Sequence, residues 1–302
     1  MSIWVCGEVL IDLIPGADGI RVPHVGGGPA NTAKALARLG RDVHFIDGIS
    51  SDEYGQMSRK ELLDDEVKLD LALRSDKPTC TAEVSLSSNG SASYVFNIDG
   101  TATFDFSHDW LPDPSRFKPQ VLHIGTLVTI IEPASSVLYE WAIKVAEFAP
   151  IVFDPNIRHS VVGDRVSYAA AVEKWAAISS VIKLSDDDAQ WLYPDDSFEA
   201  IAHRWIAHGT SLVVITRGSE GLIGFTVAGR EEVPGAKIDV ADTVGAGDTV
   251  GAILVEAMVE KGLENLTGDV LNATLHRAAV AAGITCSRKG AQPPYKHELK
   301  GL

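Results

Sequence analysis

The sequence predicts an α/β protein whose central, mostly parallel β-sheet is flanked by helices on both faces. Short apolar segments rich in β-branched residues alternate with segments of helical periodicity along most of the 302 residues, which is the pattern of repeated βαβ units. The chain contains no Pro-, Gly- or Ser-rich linker and no internal repeat. We therefore predict one domain over residues 1–302, with a small extra β-sheet where the alternation breaks down.

Strands and helices are predicted in alternation from the amino terminus onward. The first strand covers residues 3–10, and the first helix, residues 29–39, begins at Pro29 and stops at Gly40, as helix ends commonly do. Further strands are predicted where short β-branched runs suit a sheet buried on both faces: residues 43–49, 121–127, 151–154, 181–184 and 212–216. Helices are predicted between those strands at residues 133–148, 166–178 and 199–208.

One stretch breaks the alternation. Residues 79–86 and 92–98 are strand-like and are joined by Ser-Ser-Asn-Gly-Ser at residues 87–91, a hairpin signal with an Asn-Gly step. Together with residues 13–25, this hairpin is expected to form a small sheet that projects from the main domain and covers a site. The alternative is an extra edge hairpin of the main sheet. We predict a lid built from parts of 13–25 and 79–106.

Composition excludes several classes of partner. The chain has 41 acidic and 26 basic residues, a net charge of −15, and no run of five lysines or arginines. Nucleic acid and anionic membranes are therefore poor partners. No apolar run approaches the roughly 20 residues that span a bilayer, and the start lacks the basic residues of a signal peptide, so a cytoplasmic protein is expected. Cys6, Cys80 and Cys286 lie far apart, which indicates neither disulfides nor a zinc site.

The strongest motif is Asp-Thr-Val-Gly-Ala-Gly-Asp at residues 242–248, followed by an apolar stripe of helical spacing. A glycine-rich turn that runs into a helix presents free N–H groups and the positive end of the helix dipole, which suits a phosphate. Asp248 places a carboxylate beside this turn, where it can orient and deprotonate an attacking hydroxyl. The alternative is a tight turn with an N-capping aspartate.

Several common enzyme motifs are absent. The sequence has no Gly-Lys dipeptide and hence no Walker A loop. Both glycine-rich segments, residues 26–31 and 245–250, fail the Gly-x-Gly-x-x-Gly pattern at its last position, which removes most support for a nicotinamide dehydrogenase. Neither HExxH nor GxSxG occurs, so the usual signatures of zinc proteases and serine hydrolases are missing.

Other candidate ligands for a sugar or a nucleotide follow predicted strands or begin a helix. Asn31 follows the glycines of residues 26–28 and is a good partner for sugar hydroxyls. Asp12 is expected at the carboxyl end of the first strand, where α/β proteins bind ligands, although capping a turn is the alternative. Arg158, in Asp-Pro-Asn-Ile-Arg at residues 154–158, suits a phosphate or a sugar acid. The loop of residues 216–221 is a candidate contact for nucleotide phosphates or ribose.

Taken together, these motifs resemble those of the ribokinase-like, or PfkB, carbohydrate kinases over nearly the whole chain. The amino-terminal signature of that family matches at Gly27, Gly28, Pro29, Asn31, Ala33 and Gly40. The carboxy-terminal signature matches at Asp242, Thr243, Gly245, Ala246, Gly247, Asp248 and Ala252. The resemblance implies a ribokinase-like fold with a projecting β-sheet lid, ATP-dependent phosphorylation of a sugar, and a homodimer formed through the lid.

The resemblance also implies roles for individual residues. Asp248 corresponds to the catalytic base, and the anion hole corresponds to Gly245, Ala246 and Gly247. The sugar ligands would be Asp12, Gly27, Gly28, Asn31 and Arg158. The ATP site would use Lys183, Thr216, Gly218, Gly221 and Gly247. A monovalent cation, K⁺ in many relatives, would be held by Asp242, Val244, Thr285, Arg288 and Gly290. Mg²⁺ would be held through Asp188 and water.

Three departures from the family pattern concern the nucleotide and the cations. Ser185 and Asp188 stand where the family has Asn-x-x-Glu, which bears on the organisation of Mg²⁺. Ala279 replaces an asparagine near the nucleotide in many relatives, and Pro294 replaces a serine at the cation site of ribokinases. ATP affinity and dependence on K⁺ are therefore left open.

Within the family, three strings look most like those of fructokinases, at residues 7–12, 99–102 and 154–158. D-Fructose is therefore the expected substrate. The alternative is 2-keto-3-deoxygluconate, whose acid group Arg158 would bind, followed by an aminoimidazole riboside or another nucleoside. A different class of protein, a sugar-binding protein without turnover, is also considered, but such a protein has no need of a base such as Asp248.

Overall fold

The structure is a computed structural model that describes residues 2–16, 18–86 and 92–301. The described strands are β1 Ile3–Cys6, β2 Leu10–Pro15, β3 Arg21–Gly26, β4 Val43–Ile46, β5 Gly48–Ser50, β6 Leu73–Ser75, β7 Thr81–Leu86, β8 Ala92–Asn97, β9 Val121–Gly125, β10 Ile151–Asp154, β11 Val181–Ser185, β12 Leu212–Thr216, β13 Leu222–Thr226 and β14 Gly229–Val233. The described α-helices are α1 Gly28–Arg38, α2 Glu53–Asp64, α3 Pro114–Phe117, α4 Ala134–Ala146, α5 Arg165–Ala176, α6 Asp186–Leu192, α7 Phe198–Ala207, α8 Ala246–Lys261 and α9 Gly268–Cys286.

The main sheet has eight strands in the order β14-β13-β12-β11-β10-β9-β1-β4. All strands from β12 to β4 in that order pair in parallel, and β13 and β14 add an antiparallel edge. The predicted α/β class with a mostly parallel sheet is therefore confirmed. Successive residues of β1 belong to different hydrophobic clusters: Ile3 lies in the cluster that includes residues of α1, α8 and α9, and Trp4 in the cluster that includes residues of α4, α5 and α7. Burial on both faces explains why these strands are apolar throughout.

Two predicted strands are each divided in two. The predicted strand 3–10 is wrong as one element, because β1 ends at Cys6 and β2 begins at Leu10 in another sheet. The predicted strand 43–49 divides into β4 and β5 around Asp47. The buried Asp47 carboxylate accepts hydrogen bonds from the amides of Val9 (2.8 Å) and Gly48 (2.7 Å). These bonds satisfy backbone groups where the chain leaves the main sheet, so an apolar run continues without forming one strand.

The predicted separate β-sheet is confirmed. It has four strands in the order β3-β2-β7-β8, with β2 and β7 parallel and the other pairs antiparallel. The predicted hairpin turn at residues 87–91 lies outside the described residues. Asp12 belongs to this small sheet, opposite His24 on β3 and Ala82 on β7, so its predicted place at the carboxyl end of a main-sheet strand is wrong. The action of this sheet as a lid stays a prediction.

The carboxyl ends of the parallel strands position the candidate site. Because β1, β9, β10, β11 and β12 run in the same direction, the residues that follow them meet along one edge of the sheet. All three cysteines are free; Cys6 and Cys80 are buried, and Cys286 is partly exposed. Within the described residues, no helix combines the length and apolar character needed to cross a bilayer.

Candidate active site

A cavity of about 620 Å³ lies between the carboxyl edge of the main sheet, the amino terminus of α8 and the small sheet. Its size is within the range of small-molecule sites. All five proposed sugar ligands line it, although they come from distant parts of the chain: Asp12, Gly27, Gly28, Asn31 and Arg158. The proposed base Asp248 lines it too, as do Gly245 and Gly247 of the proposed anion hole, whereas Ala246 does not. Lys183 from the proposed ATP site and Val244 from the proposed cation site also line it.

Asp248 lies in the first turn of α8 and is held by the first turn of α1. The side-chain amide of Asn31 donates a hydrogen bond of 2.9 Å to Oδ2 of Asp248. The Thr32 hydroxyl lies 3.4 Å from the Asp248 carbonyl oxygen. Asn31 was proposed as a sugar ligand, and the structure shows that it also fixes the orientation of the Asp248 carboxylate.

The surroundings of Asp248 raise its proton affinity. Burial raises the pKa of Asp248 to about 6, and the Asp154 carboxylate acts in the same direction, whereas Lys183, Asn31 and Arg158 lower the pKa. Asp248 is only 8% exposed. A carboxylate with a pKa near 6 is ionised at neutral pH yet accepts a proton more readily than an ordinary aspartate, which suits a general base.

The turn before α8 depends on a glycine. Gly245 has φ +80°, and a Cβ on it would lie 2.7 Å from the Cβ of Ala291. The first-turn amides of α8, including those of Gly247 and Asp248, have no acceptor within the helix, and both residues line the cavity. The Lys183 ammonium lies 2.9 Å from the position that a Gly247 Cβ would take. Amides, a helix dipole and an ammonium group are features that suit an anion, as the sequence predicts for this turn.

Gly28 leaves space at the base of the cavity. A Cβ there would lie 2.9 Å from the side-chain nitrogen of Asn156, 3.1 Å from Oδ1 of Asp248 and 3.1 Å from a methyl group of Thr126. A side chain at residue 28 would therefore occupy the space in front of the carboxylate. Asn156 lines the cavity but was not proposed as a site residue, although it lies within the 154–158 string that suggested Arg158.

Charged groups lie on both sides of the cavity. The Arg158 guanidinium donates from Nη1 to Oδ1 of Asn156 at 2.7 Å. Burial raises the pKa of Asp12 to about 6, while Arg158 and His24 lower it. Burial also raises the pKa of Glu8, a cavity residue that the sequence reasoning missed and whose Oε1 accepts a hydrogen bond from the Thr126 hydroxyl. Its signal was the Gly-Glu pair that opens the fructokinase-like string at residues 7–12.

The residues proposed for a monovalent cation lie together behind the anion-site turn. The Asp242 carboxylate accepts hydrogen bonds from the amides of Val244 (3.1 Å) and Gly290 (2.9 Å). The Thr285 carbonyl accepts from the amide of Arg288 at 3.1 Å. The Thr285 hydroxyl lies 2.9 Å from that of Thr249 on α8. This group is therefore joined to the helix that carries Asp248.

The residues proposed for ATP and Mg²⁺ are only partly brought into the cavity. Thr216, Gly218 and Gly221 follow β12 on the same sheet edge but do not line it. Asp188 accepts the amides of Ile157 (3.0 Å) and Ser185 (3.3 Å), one on each carboxylate oxygen. Both carboxylate oxygens of Asp188 therefore already accept hydrogen bonds from main-chain amides. Across the described residues, no group of three or more His, Cys, Asp or Glu side chains could hold a metal ion.

The string at residues 99–102, used in the sequence comparison with fructokinases, lies outside this cavity. Asp99 and Thr101 line a neighbouring cavity of about 670 Å³ instead. Phe96 and Ser160 line both cavities. The string therefore faces the space beside the candidate site.

Known proteins share this fold over the whole chain. Fructokinase with bound ATP from Xylella fastidiosa superposes with a TM-score of 0.90 at 24% identity, covering 99% of this chain and 96% of that one. A fructokinase double mutant from Vibrio cholerae O395, in a fructose, ADP and potassium ion bound form, gives a TM-score of 0.87 at 25% identity, covering 99% and 97%. The likeness to these structures shows the ribokinase-like fold.

The fold and the site therefore define a sugar kinase of the ribokinase-like class. A profile described as "pfkB family carbohydrate kinase" matches residues 2–298. A fructokinase from Rhizobium leguminosarum bv. trifolii is 36% identical over 258 residues, covering 84% of this chain and 78% of that protein. The chain belongs to the pfkB family of carbohydrate kinases and is a sugar phosphotransferase, as its two sequence signatures indicated.

Proposed function

We propose that this protein is a fructokinase, which transfers the γ-phosphoryl group of ATP to the 6-hydroxyl of D-fructose. The observation that carries the proposal is the position of Asp248, a buried carboxylate in the same cavity as the glycine turn at the start of α8. A base and an anion site side by side suit phosphoryl transfer to a hydroxyl. The fructokinase names of the similar proteins support fructose as the acceptor.

The proposed chemistry uses Asp248 as the base. A sugar hydroxyl is too weak an acid to ionise near neutral pH, so the carboxylate orients it and takes its proton as the bond to phosphorus forms. The negative charge on the transferring phosphoryl group is stabilised by the amides that follow Gly245 and by the helix dipole of α8. Closure of the small sheet would exclude water, which otherwise competes as the phosphoryl acceptor.

The sugar is proposed to lie between the two sheets. Asp12 from the small sheet and Arg158 from the loop after β10 both line the cavity and offer an acceptor and a donor for sugar hydroxyls. Gly27 and Gly28 leave room for the ring. Asn31 contributes through its bond to Asp248 and through contact with the sugar.

ATP is proposed to extend from the anion site along the sheet edge towards Thr216, Gly218 and Gly221. Mg²⁺ is proposed to arrive bound to the ATP phosphates. The group of Asp242, Val244, Thr285, Arg288 and Gly290 fits a monovalent cation because it brings the Asp242 carboxylate and the Thr285 main-chain carbonyl together behind Gly245. That cation would strengthen the field of the anion site.

The small sheet is also proposed to join two copies of the protein. Ile20, Val22 and Val95, in or next to the small sheet, are 67%, 44% and 63% exposed, and a partner that covered them would bury their apolar surface. A dimer that dissociates in a Val22→Lys variant, measured by sedimentation, would support this association.

A panel of acceptors tests the proposed function. With ATP and Mg²⁺, D-fructose should have the highest kcat/KM among fructose, ribose, 2-keto-3-deoxygluconate, adenosine and aminoimidazole riboside. Arg158 favours a second candidate, 2-keto-3-deoxygluconate, because its guanidinium in the cavity suits a carboxylate. A tenfold preference for that acid, about 1.4 kcal/mol, would contradict the fructokinase proposal but not the sugar kinase. Sugar binding without turnover of any acceptor would indicate a silent binding protein.

The contact between Asn31 and Asp248 carries a separate prediction. Asn31→Ala should weaken sugar binding by on the order of 1 to 3 kcal/mol, the cost of an unpaired buried polar group, and should lower kcat because Asp248 loses its orienting donor. The KM for ATP should not change. Asn272→Ala, which removes an amide bonded to Glu231 on the far side of α9, is the control. A loss confined to ATP affinity would contradict the assignment.

A further inference from the structure

A buried ion pair lies directly behind the anion-site turn. The Lys183 ammonium is 2.7 Å from Oδ2 of Asp154, and their side chains are only 5% and 2% exposed. Lys183 lies within β11 and Asp154 ends the neighbouring parallel strand β10. Burying two charges is costly and often adds no net stability. A pair of this kind at the edge of an active-site cavity therefore calls for a functional explanation.

The position of Lys183 connects the pair to the base. Its ammonium lies 2.9 Å from the place of a Gly247 Cβ, and Gly247 precedes Asp248 in the first turn of α8. Lys183 and Asp248 line the same cavity. The same lysine is therefore bonded to one buried carboxylate, Asp154, and lies beside the turn that carries another, Asp248, whose pKa it lowers.

The other neighbours do not replace Lys183. His123 on β9 lies beside β10 and is fully buried, neither ring nitrogen has a hydrogen-bond partner, and burial lowers its pKa to about 4, so it is neutral at pH 7. Asn31 on α1 donates to Asp248 without charge. Asp188 on α6 is held by backbone amides, and burial raises its pKa.

Arg158, in the loop after β10, is the other cation that acts on Asp248, and its Nη1 is held by Asn156. Glu8, which follows β1, lines the same cavity, and Arg158 lowers its pKa as well. Arg158 therefore acts on several acidic groups at once. Lys183, anchored by Asp154, is the cation whose charged group approaches the first turn of α8 at Gly247.

We propose that Lys183 is a positioning residue: it keeps Asp248 ionised for the reaction, and Asp154 limits this effect by holding the Lys183 ammonium to itself. The inference rests on the proposed function, in which Asp248 is the base. It differs from a role of Lys183 as a phosphate ligand of ATP, since it predicts a change in the pH dependence of the free enzyme rather than in nucleotide affinity.

The two partners should shift the acid limb of the kcat/KM profile in opposite directions. Lys183→Met removes the cation that favours the carboxylate, so Asp248 gains its proton at higher pH, and we expect the acid limb to move up by about one pH unit or more. Asp154→Asn removes the competing carboxylate and releases Lys183 towards Asp248, so the limb should move down by about half a unit or more. The double variant should lie near the wild type.

The experiment measures kcat/KM for the sugar from pH 5 to 9 for these three variants. The control is the double variant Lys60→Met, Asp64→Asn, which removes an exposed ion pair. The proposal would be overturned if the acid limb moved in the same direction in both single variants, or in neither. Loss of a purely structural ion pair would lower stability without moving the acid limb in opposite directions. A raised KM for ATP with an unchanged profile would also overturn it and make Lys183 a phosphate ligand. If Lys183→Met does not fold, the downward shift of Asp154→Asn and the profile of the double variant decide the question.

A second measurement does not depend on turnover. The free energy of urea unfolding is compared, across the same pH range, for each variant with and without Asp248→Asn. Because the folded-state pKa of Asp248 is raised, ionised Asp248 destabilises the fold increasingly as pH rises from about 4 to its folded pKa, and the difference is constant above it. That plateau should begin at higher pH without Lys183 and at lower pH without Asp154. If the plateau shifts as expected but the protein phosphorylates no sugar, the proposed function is refuted, and the effect of Lys183 and Asp154 on Asp248 is not.

Discussion

Asp248→Asn should lower kcat by at least about 100-fold, the low end expected for loss of a general base. The amide still accepts the hydrogen bond from Asn31, so the geometry of the first turn is retained while the proton acceptor is lost. The KM values for ATP and for the sugar should therefore change little. Steady-state kinetics with both substrates measure this, and a kcat close to that of the wild type would remove Asp248 from the mechanism.

A comparison within the same cavity makes this result specific. Asp12→Asn also neutralises a cavity carboxylate, half-buried in this case, whose pKa is raised to about 6. Asp12, however, lies in the small sheet and is proposed to bind sugar hydroxyls. It should raise the KM for the sugar more than it lowers kcat. Unfolding at pH 8 is the control for folding: Asp248→Asn should be at least as stable as the wild type, because burying the ionised carboxylate costs stability there.

Gly245→Ala should also lower kcat by about 100-fold or more, the effect of losing one donor of an oxyanion hole. The residue would have to keep φ +80°, and its Cβ would lie 2.7 Å from the Cβ and 3.0 Å from the Cα of Ala291. Backbone cannot give way as a flexible side chain does, so the turn must move and carry the first amides of α8 away from the phosphoryl group. Sugar binding should be largely retained.

Two variants separate the clash from the backbone strain. Adding Ala291→Gly to Gly245→Ala removes the Cβ contact but not the strained φ, so part of the lost kcat should return. Gly40→Ala imposes a nearly identical φ of +79° at the end of α1, where the nearest atom, in the Lys296 side chain, is 3.8 Å away. It should reduce stability by about 1 kcal/mol and leave kcat unchanged. An equal loss of kcat in Gly245→Ala and Gly40→Ala would mean that backbone strain, and not displacement of the anion site, is responsible.

The sequence by itself predicted the features that depend on neighbouring residues. The βαβ alternation identified the α/β class, and Gly-Ala-Gly-Asp before an apolar helical stripe located the start of α8 and its carboxylate. Those signals are local, since periodicity and helix-end preferences act over a few residues. Two glycine-rich signatures in the family order were enough to indicate a sugar kinase before any coordinate was known.

Only the tertiary structure decided how these pieces meet. It divided the apolar run at residues 3–10 between two sheets, because Asp47 satisfies the amide of Val9 there. It joined Asn31 to Asp248 across 217 residues of chain. It also bonded Lys183 to Asp154 and placed its ammonium beside Gly247, the residue before Asp248. Such contacts are non-local, and the pKa of a buried carboxylate depends on which charges they bring within reach, so no sequence pattern contains them.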